Sequence, residues 1–277
     1  GLSDVKAYTN VELTGEFRGK PVTIYAWQIT GRFGNLTVDM IQPAEGQANA
    51  YTDFLSKHRD GIFSVVHRVE NQAALSEEIS RMKAAGVGVL QRVTMPSNGA
   101  TVTYFDTEPG GKFALGLTLG TADTRATRGG PAVTHFGWVV EDAKPVSAYW
   151  ERLGFPAFPI QHATPREDGH YRGEPLLLPF EVGFQRHAQF RYEWIAPPPN
   201  PPNIYADFLN KRRSEGIQHV GVLVDDLPAS IARFEKLGYR VHQSGAWGEV
   251  GKPGSGMYAY MDTDSAGGVS VELVRSW

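Results

Sequence analysis

The chain has 277 residues, 41% hydrophobic and 21% charged, with a formal net charge of −3 at pH 7. That length suits two domains of ordinary size, and a near-balanced charge without a Lys/Arg-rich run excludes the basic field that nucleic acid requires. No apolar run approaches the roughly 18 residues of a membrane span, and the absence of cysteine excludes disulfides, thiolate metal sites and a cysteine nucleophile. No signal peptide is visible, so a cytoplasmic location is the default expectation. Thirty-one glycines and eighteen prolines point to many short strands joined by tight turns.

In chain order, the first half anticipates the second. Residues 15–43 (GEFRGKPVTIYAWQITGRFGNLTVDMIQP) align without a gap on residues 169–197 (GHYRGEPLLLPFEVGFQRHAQFRYEWIAP), an offset of 169 − 15 = 154. Gly15, Arg18, Gly19, Pro21, Arg32, Ile41 and Pro43 are identical to their partners. Tyr51 to Leu55 then matches Tyr205 to Leu209, Ile79 to Gln91 matches Ile231 to Gln243, and Tyr104 to Thr107 matches Tyr260 to Thr263. A match this long predicts internal duplication.

A shorter unit recurs inside the second half. Residues 217–239 (IQHVGVLVDDLPASIARFEKLGY) read as a strand, a turn at Asp225 and Asp226, and a helix opened by Pro228 and stopped by Gly238. The pattern occurs also over residues 135–155, at an offset of 219 − 135 = 84, with His135 on His219, Gly137 on Gly221 and Gly154 on Gly238.

These repeats predict an α+β protein of four strand–helix–strand–strand–strand units. The first is headless: its histidine would fall at 135 − 154 = −19, before Gly1, so its opening strand and helix lie outside these residues or have been dispensed with, and residues 1–14 correspond to the segment after Gly154. The second unit runs from Gly61 to about Leu119, the third from about Thr134 to Pro197, and the fourth from Gly216 to the end. The expected domains are 1–120 and 133–277, joined by a polar, Gly-rich linker over 121–132. Residues 196–202 (APPPNPP) read as a stiff bridge holding units three and four apart. The sheet edge orphaned by the missing strand is expected to be covered by residues 1–14 or by a second copy of the chain.

Four strand residues carry the chemistry: His135 and Glu193 in the third unit, His219 and Glu272 in the fourth. Imidazole and carboxylate are the expected ligands of one divalent ion (Zn, Ni, Co, Fe or Mn) where cysteine is absent. Each alone reads equally as a packed or solvent-facing strand residue; their repeated placement is what points to a shared centre. The equivalent first-half positions hold Asp39, Ser64 and Gly116, which predicts a first half without a metal. Trp138, Tyr192, Trp194 and Trp247 either line a cavity or fill the core.

Taken together, Tyr205 to Leu209, Gly216 to Gly221, Asp225 and Asp226, Glu193 to Pro197 and Gly268 to Leu273 resemble methylmalonyl-CoA epimerases of the vicinal oxygen chelate superfamily. The likeness covers nearly all of residues 133–277. It implies tandem βαβββ units of the glyoxalase/bleomycin resistance/dihydroxybiphenyl dioxygenase-like fold, with a metal on the concave sheet face. Glu193 stands where the epimerases usually have Gln, and the His, Glu, His, Glu set is closer to single-metal glyoxalase I enzymes. The resemblance implies a lyase or isomerase acting on a small oxygen-bearing molecule through a metal-stabilised enediolate or enolate. Glu193, Glu272 or, near the place of the epimerases' glutamate base, Glu174 would move the proton. Two alternatives stay open: a non-haem iron ring-cleaving or α-keto-acid dioxygenase with a His, His, Glu triad, and a metal-free binding protein of the bleomycin-resistance kind.

Overall fold

The computed structural model describes residues 2–120, 132–187, 190–212 and 214–277; the expected linker over 121–132 lies outside these but for its last residue. The elements, in order, are β1 (Ser3–Phe17), β2 (Lys20–Phe33), β3 (Leu36–Pro43), α1 (Ala50–His58), β4 (Ser64–Val69), α2 (Gln72–Ala84), β5 (Val89–Thr94), β6 (Thr101–Phe105), α3 (Glu108–Gly111) and β7 (Ala114–Leu119). There follow β8 (Ala132–Val139), α4 (Ala143–Arg152), β9 (Ile160–Ala163), β10 (His170–Tyr171), β11 (Glu174–Pro175), β12 (Phe180–His187), β13 (Phe190–Ala196) and α5 (Ile204–Arg212). The chain closes with β14 (Gly216–Leu223), α6 (Leu227–Lys236), β15 (Val241–Trp247), β16 (Gly256–Met261), α7 (Asp264–Gly267) and β17 (Ser270–Ser276).

Two compact units result, one within Gly1–Gly130 and Tyr149–Phe155, the other within Pro131–Ala148 and Pro156–Trp277. The end of α4 thus groups with the first half rather than the second. Trp150 lies 5.2 Å from Phe113, and Arg152 Nη1 donates to the Ala85 carbonyl at 2.9 Å.

Each unit is built on one mixed sheet. The first has the order β3-β2-β1-β5-β6-β7-β4, the second β11-β10-β15-β16-β17-β14-β8-β13-β12-β9. These are the paired βαβββ units of the glyoxalase/dioxygenase fold. In the second sheet β8 runs antiparallel to β14 and parallel to β13. Among the described residues no strand of the first sheet stands in that place, and β3 and β4 are the two ends of the order. Ser3 to Thr14 do not cover that gap. They form most of β1, an interior strand between β2 and β5, because their alternating pattern buries Val11 and Leu13 on the same face as Ile24 and Ala26. A second copy on the open edge remains a proposal, checked by sedimentation: a monomer at every concentration would remove it. The direct pairing of β8 with β14 also corrects the reading of residues 196–202 as a spacer, since units three and four share one sheet.

Duplication is visible at the level of single hydrogen bonds. Gln91 Oε1 accepts from Ala50 N at 2.9 Å, and Gln243 Oε1 from Ile204 N at 3.0 Å. Asn49 and Asn203 each cap the helix that follows, satisfying amides that have no partner inside a first turn. Arg18–Asp53 and Arg172–Asp207 are equivalent ion pairs at 3.0 and 2.8 Å, as are Lys57–Glu108 and Lys211–Asp264 at 2.8 and 2.6 Å. Helix α6 starts as expected: Asp226 accepts from Ala229 N at 2.9 Å, and a proline stands in its first turn.

Glu108 links the start of α3 to the end of α1. Hydrogen bonds from His58 and Lys57, opposed by partial burial, hold its carboxyl at about 2, well below the usual 4.5. A depressed folded value contributes stability that is present above 4.5 and is lost as pH falls toward 2. Glu108→Gln is therefore expected to flatten the acid side of the stability profile between pH 4.5 and 2, measured by urea unfolding at several pH values. An unchanged profile would show that the pair contributes nothing.

Candidate metal centre

The second sheet brings both histidines and both glutamates together. Because β8 and β14 pair antiparallel, with His219 opposite Gly137 and Gly221 opposite His135, the two histidines sit diagonally across one strand pair. β13 lies beside β8 and β17 beside β14, each parallel, so Glu193 and Glu272 flank the histidines. One ligand atom from each of the four lies within 4.8 Å of every other, and these are the residues among those described that group in this way. Side chains alternate between the faces of a strand, so the neighbours Trp138, Tyr192 and Trp194 do not share the ligands' face. They are buried, with Trp138 4.8 Å from Trp194 and 4.5 Å from Tyr192, and fill the core. Trp247 is exposed.

The distances within the cluster are unequal. His135 Nε2 lies 2.6 Å from Glu272 Oε2 and 3.4 Å from Glu193 Oε2. His219 Nε2 lies 3.2 Å from Glu193 Oε2 and 3.7 Å from Glu272 Oε2. Both rings therefore present Nε2 to the centre. Their Nδ1 atoms are engaged elsewhere, His135 with Thr134 Oγ1 at 3.1 Å and His219 with Gln218 Oε1 at 2.8 Å. Gln218 in turn donates to Ser270 Oγ at 3.2 Å. Outer partners of this kind fix the ring orientation and the tautomer of a metal-binding histidine.

Burial alone would push His135 down, but the Glu272 hydrogen bond and the two carboxylate charges outweigh it and raise the imidazole above 6.5. Burial alone would raise Glu193, but the His219 hydrogen bond and the charges of both histidines hold it below 4.5. Two carboxylates meeting two buried imidazoles have the donor set of a divalent first-row ion, with no sulfur. All four residues fit that group.

Reciprocal glycines make the convergence possible. A Cβ on Gly137 would lie closer than 3.0 Å to the His219 ring, and one on Gly221 closer than 3.0 Å to the His135 ring. Each unit thus leaves out a side chain where the other places its imidazole.

The profile of the glyoxalase/bleomycin resistance protein/dioxygenase superfamily matches residues 127–274, which is 148 of the 277. The chain belongs to that superfamily. Within this superfamily fold, a triple mutant of 4-hydroxymandelate synthase from Streptomyces coelicolor superimposes with a TM-score of 0.65 at 15% identity, covering 99% of this chain and 92% of that one. Methylmalonyl-CoA epimerase from Mycobacterium tuberculosis matches at 21% identity with a TM-score of 0.35, over 52% of this chain and 87% of that one. At such identities the first likeness bears on the fold alone, and the second carries no weight. No curated protein matches the chain.

Glu174 is not brought to the centre. It is exposed in β11, opposite Tyr171 in a two-residue pairing. Of the first-half equivalents, Asp39 accepts from Gln28 Nε2 at 3.0 Å, and Gly116 is crowded by Val66 and Ser64. Sequence reasoning paired Gly137 with Gly221 without giving either a role; the repeated His-x-Gly was the available signal. It missed Thr134, Gln218 and Ser270, whose polar side chains inside apolar strands were the only clue. Tyr260, 5.0 Å from the His219 ring and bonded through its hydroxyl to Tyr205 at 3.0 Å, was also missed.

Proposed function

We propose that this chain is a divalent-metal-dependent lyase or isomerase of the glyoxalase/epimerase kind, holding its ion through His135, Glu193, His219 and Glu272. The observation that carries the reading is the orientation of Glu193, whose Oε2 faces both histidines at 3.2 and 3.4 Å rather than turning away. An ion held by all four residues would have room left for two oxygens of a small substrate but not for dioxygen beside them. A bound ion would supply a Lewis acid that polarises a substrate oxygen and acidifies the adjacent C–H.

The two carboxylates divide the remaining work. Glu272 is gripped by His135 at 2.6 Å with a side chain 7% exposed, which suits a fixed ligand. Glu193 is more loosely held and 15% exposed, so it is the carboxylate whose second oxygen would take a substrate proton while the first stays on the ion. Its lowered affinity for protons keeps it ionised at neutral pH, ready to accept the proton and return it to a neighbouring atom. His135 and His219, their Nδ1 atoms engaged, hold position.

The test uses zinc-loaded protein in D2O with a panel of small 2-keto and 2-hydroxy acids and aldehydes, read by NMR for loss of the proton beside the carbonyl or carbinol. Exchange with at least one compound, abolished in Glu193→Gln, is expected. Oxygen consumption by iron-loaded protein on the same panel, without proton exchange, would replace this reading by a dioxygenase.

A further inference from the structure

The far end of the β12–β13 pair carries two arginines on the face that holds the ligand cluster. Arg186 stands directly opposite Arg191 in this antiparallel pair, as Phe184 stands opposite Glu193. Opposed residues point to one face with Cβ atoms about 4.5–5.5 Å apart, and residues two apart along a strand share a face. Arg186, Phe184, Arg191 and Glu193 therefore project together. Arg191 is also the neighbour of His135 across β13 and β8, close enough that its charge acts on both His135 and Glu193. Its Cζ lies 4.8 Å from the centre of the Phe184 ring, a stacked contact that gives the long side chain a resting place.

Like charges directly opposite one another destabilise a strand pair. Neither arginine is in an ion pair or donates a side-chain hydrogen bond among the described residues, and both are exposed. The first half has the same strand pair in the same register without this opposition. At an offset of 154, Arg186 corresponds to Arg32 and Arg191 to Thr37, which face one another across β2 and β3. Phe184 corresponds to Thr30, opposite Asp39. The second arginine and its aromatic support thus occur in the half with the ligand cluster, although they weaken the pairing there.

We propose that Arg186 and Arg191 bind an anionic group of the substrate, a phosphate or a second carboxylate, lying beyond the two oxygens that meet the ion. This deepens the reading of His135, Glu193, His219 and Glu272 as the ion's site and rests on it. The charge of a divalent ion is matched by the two glutamates, which leaves the arginine charges for the substrate. Guanidinium is a planar donor that suits carboxylate and phosphate oxygens alike. The substrate class that follows is a small 2-hydroxy or 2-keto acid with a terminal anion.

Glycerate, malate and 3-phosphoglycerate share a 2-hydroxy acid end and differ in the terminal group, so comparing them isolates the subsite. Each is titrated by calorimetry into the protein with and without zinc. With zinc, malate or 3-phosphoglycerate is expected to bind at least about tenfold more tightly than glycerate, and the tighter of the two names the anion. Arg186→Gln with Arg191→Gln is expected to abolish that preference while glycerate affinity changes little and zinc content stays as in the parent. Because both side chains are exposed and an opposition of like charges is removed, the unfolding midpoint should hold or rise, which separates lost binding from a folding defect. Arg191→Lys, which keeps the charge and loses the planar fork, should retain part of the preference. Failure of the metal reading would show as binding indifferent to zinc, with the dependence on the arginines intact. No preference over glycerate, or a preference undiminished in the double variant, would overturn the proposal whatever zinc does.

Discussion

His219→Ala is expected to abolish stoichiometric zinc binding and all turnover while leaving the first unit folded. The ring is fully buried, it offers Nε2 to Glu193, and its Nδ1 is fixed by Gln218. Losing an outer partner typically costs roughly 10–100-fold in metal affinity, and losing a ligand costs more. The substitution also leaves Glu193 and Glu272 facing one another with a single imidazole between them, and two close carboxylates shielded from solvent repel unless one takes a proton. Elemental analysis of protein purified without added metal reads the result, and circular dichroism confirms the fold. Full retention of metal in the variant would place the ion elsewhere.

Gly137→Ala is expected to have as large an effect from a single methyl group. Gly137 is not itself a ligand, but its missing Cβ is the space in which the His219 ring stands, closer than 3.0 Å to where that methyl would be. Sheet packing around β8 and β14 gives the ring no route of retreat, since His219 is flanked by Tyr260 and pairs across to Gly137 itself. Overpacking of this kind typically costs about 1–3 kcal/mol and displaces the ring that must yield. Metal affinity should fall by at least tenfold with little loss of secondary structure, and Gly221→Ala should do the same through His135. A Gly137→Ala protein that binds zinc as the parent does would show that the imidazoles approach the centre from another direction.

Much of this centre was legible because the chain repeats itself. Offsets of 84 and 154 place His135 on His219, and equal position in equal units is a geometric statement before any fold is known. Periodicity also located α6, since Asp226 and Gly238 are chemical signals of helix ends. Other features were not legible. β1 and β2 are continuous strands of 15 and 14 residues, whereas their second-half counterparts break into β9, β10, β11 and β12. Pro159, Pro165, Pro175 and Pro179 cluster there, each removing a ladder donor. The alignment tolerates that difference, so matching letters did not report it. Nor could sequence show that residues 1–14 enter the interior of the sheet, because an alternating strand reads alike at an edge and in the middle. Glu174, placed by resemblance alone, falls on an exposed two-residue strand.

Glu193 as a fourth ligand is what separates proton-transfer chemistry from an oxygenase at this centre. A zinc-soaked crystal structure, or X-ray absorption on the zinc-loaded protein compared with Glu193→Gln, measures this directly. The prediction is an ion bound by two imidazole nitrogens and two carboxylates, with a Glu193 oxygen at about 2.0–2.2 Å. An ion held by His135, His219 and Glu272 alone, with Glu193 turned away, would contradict it.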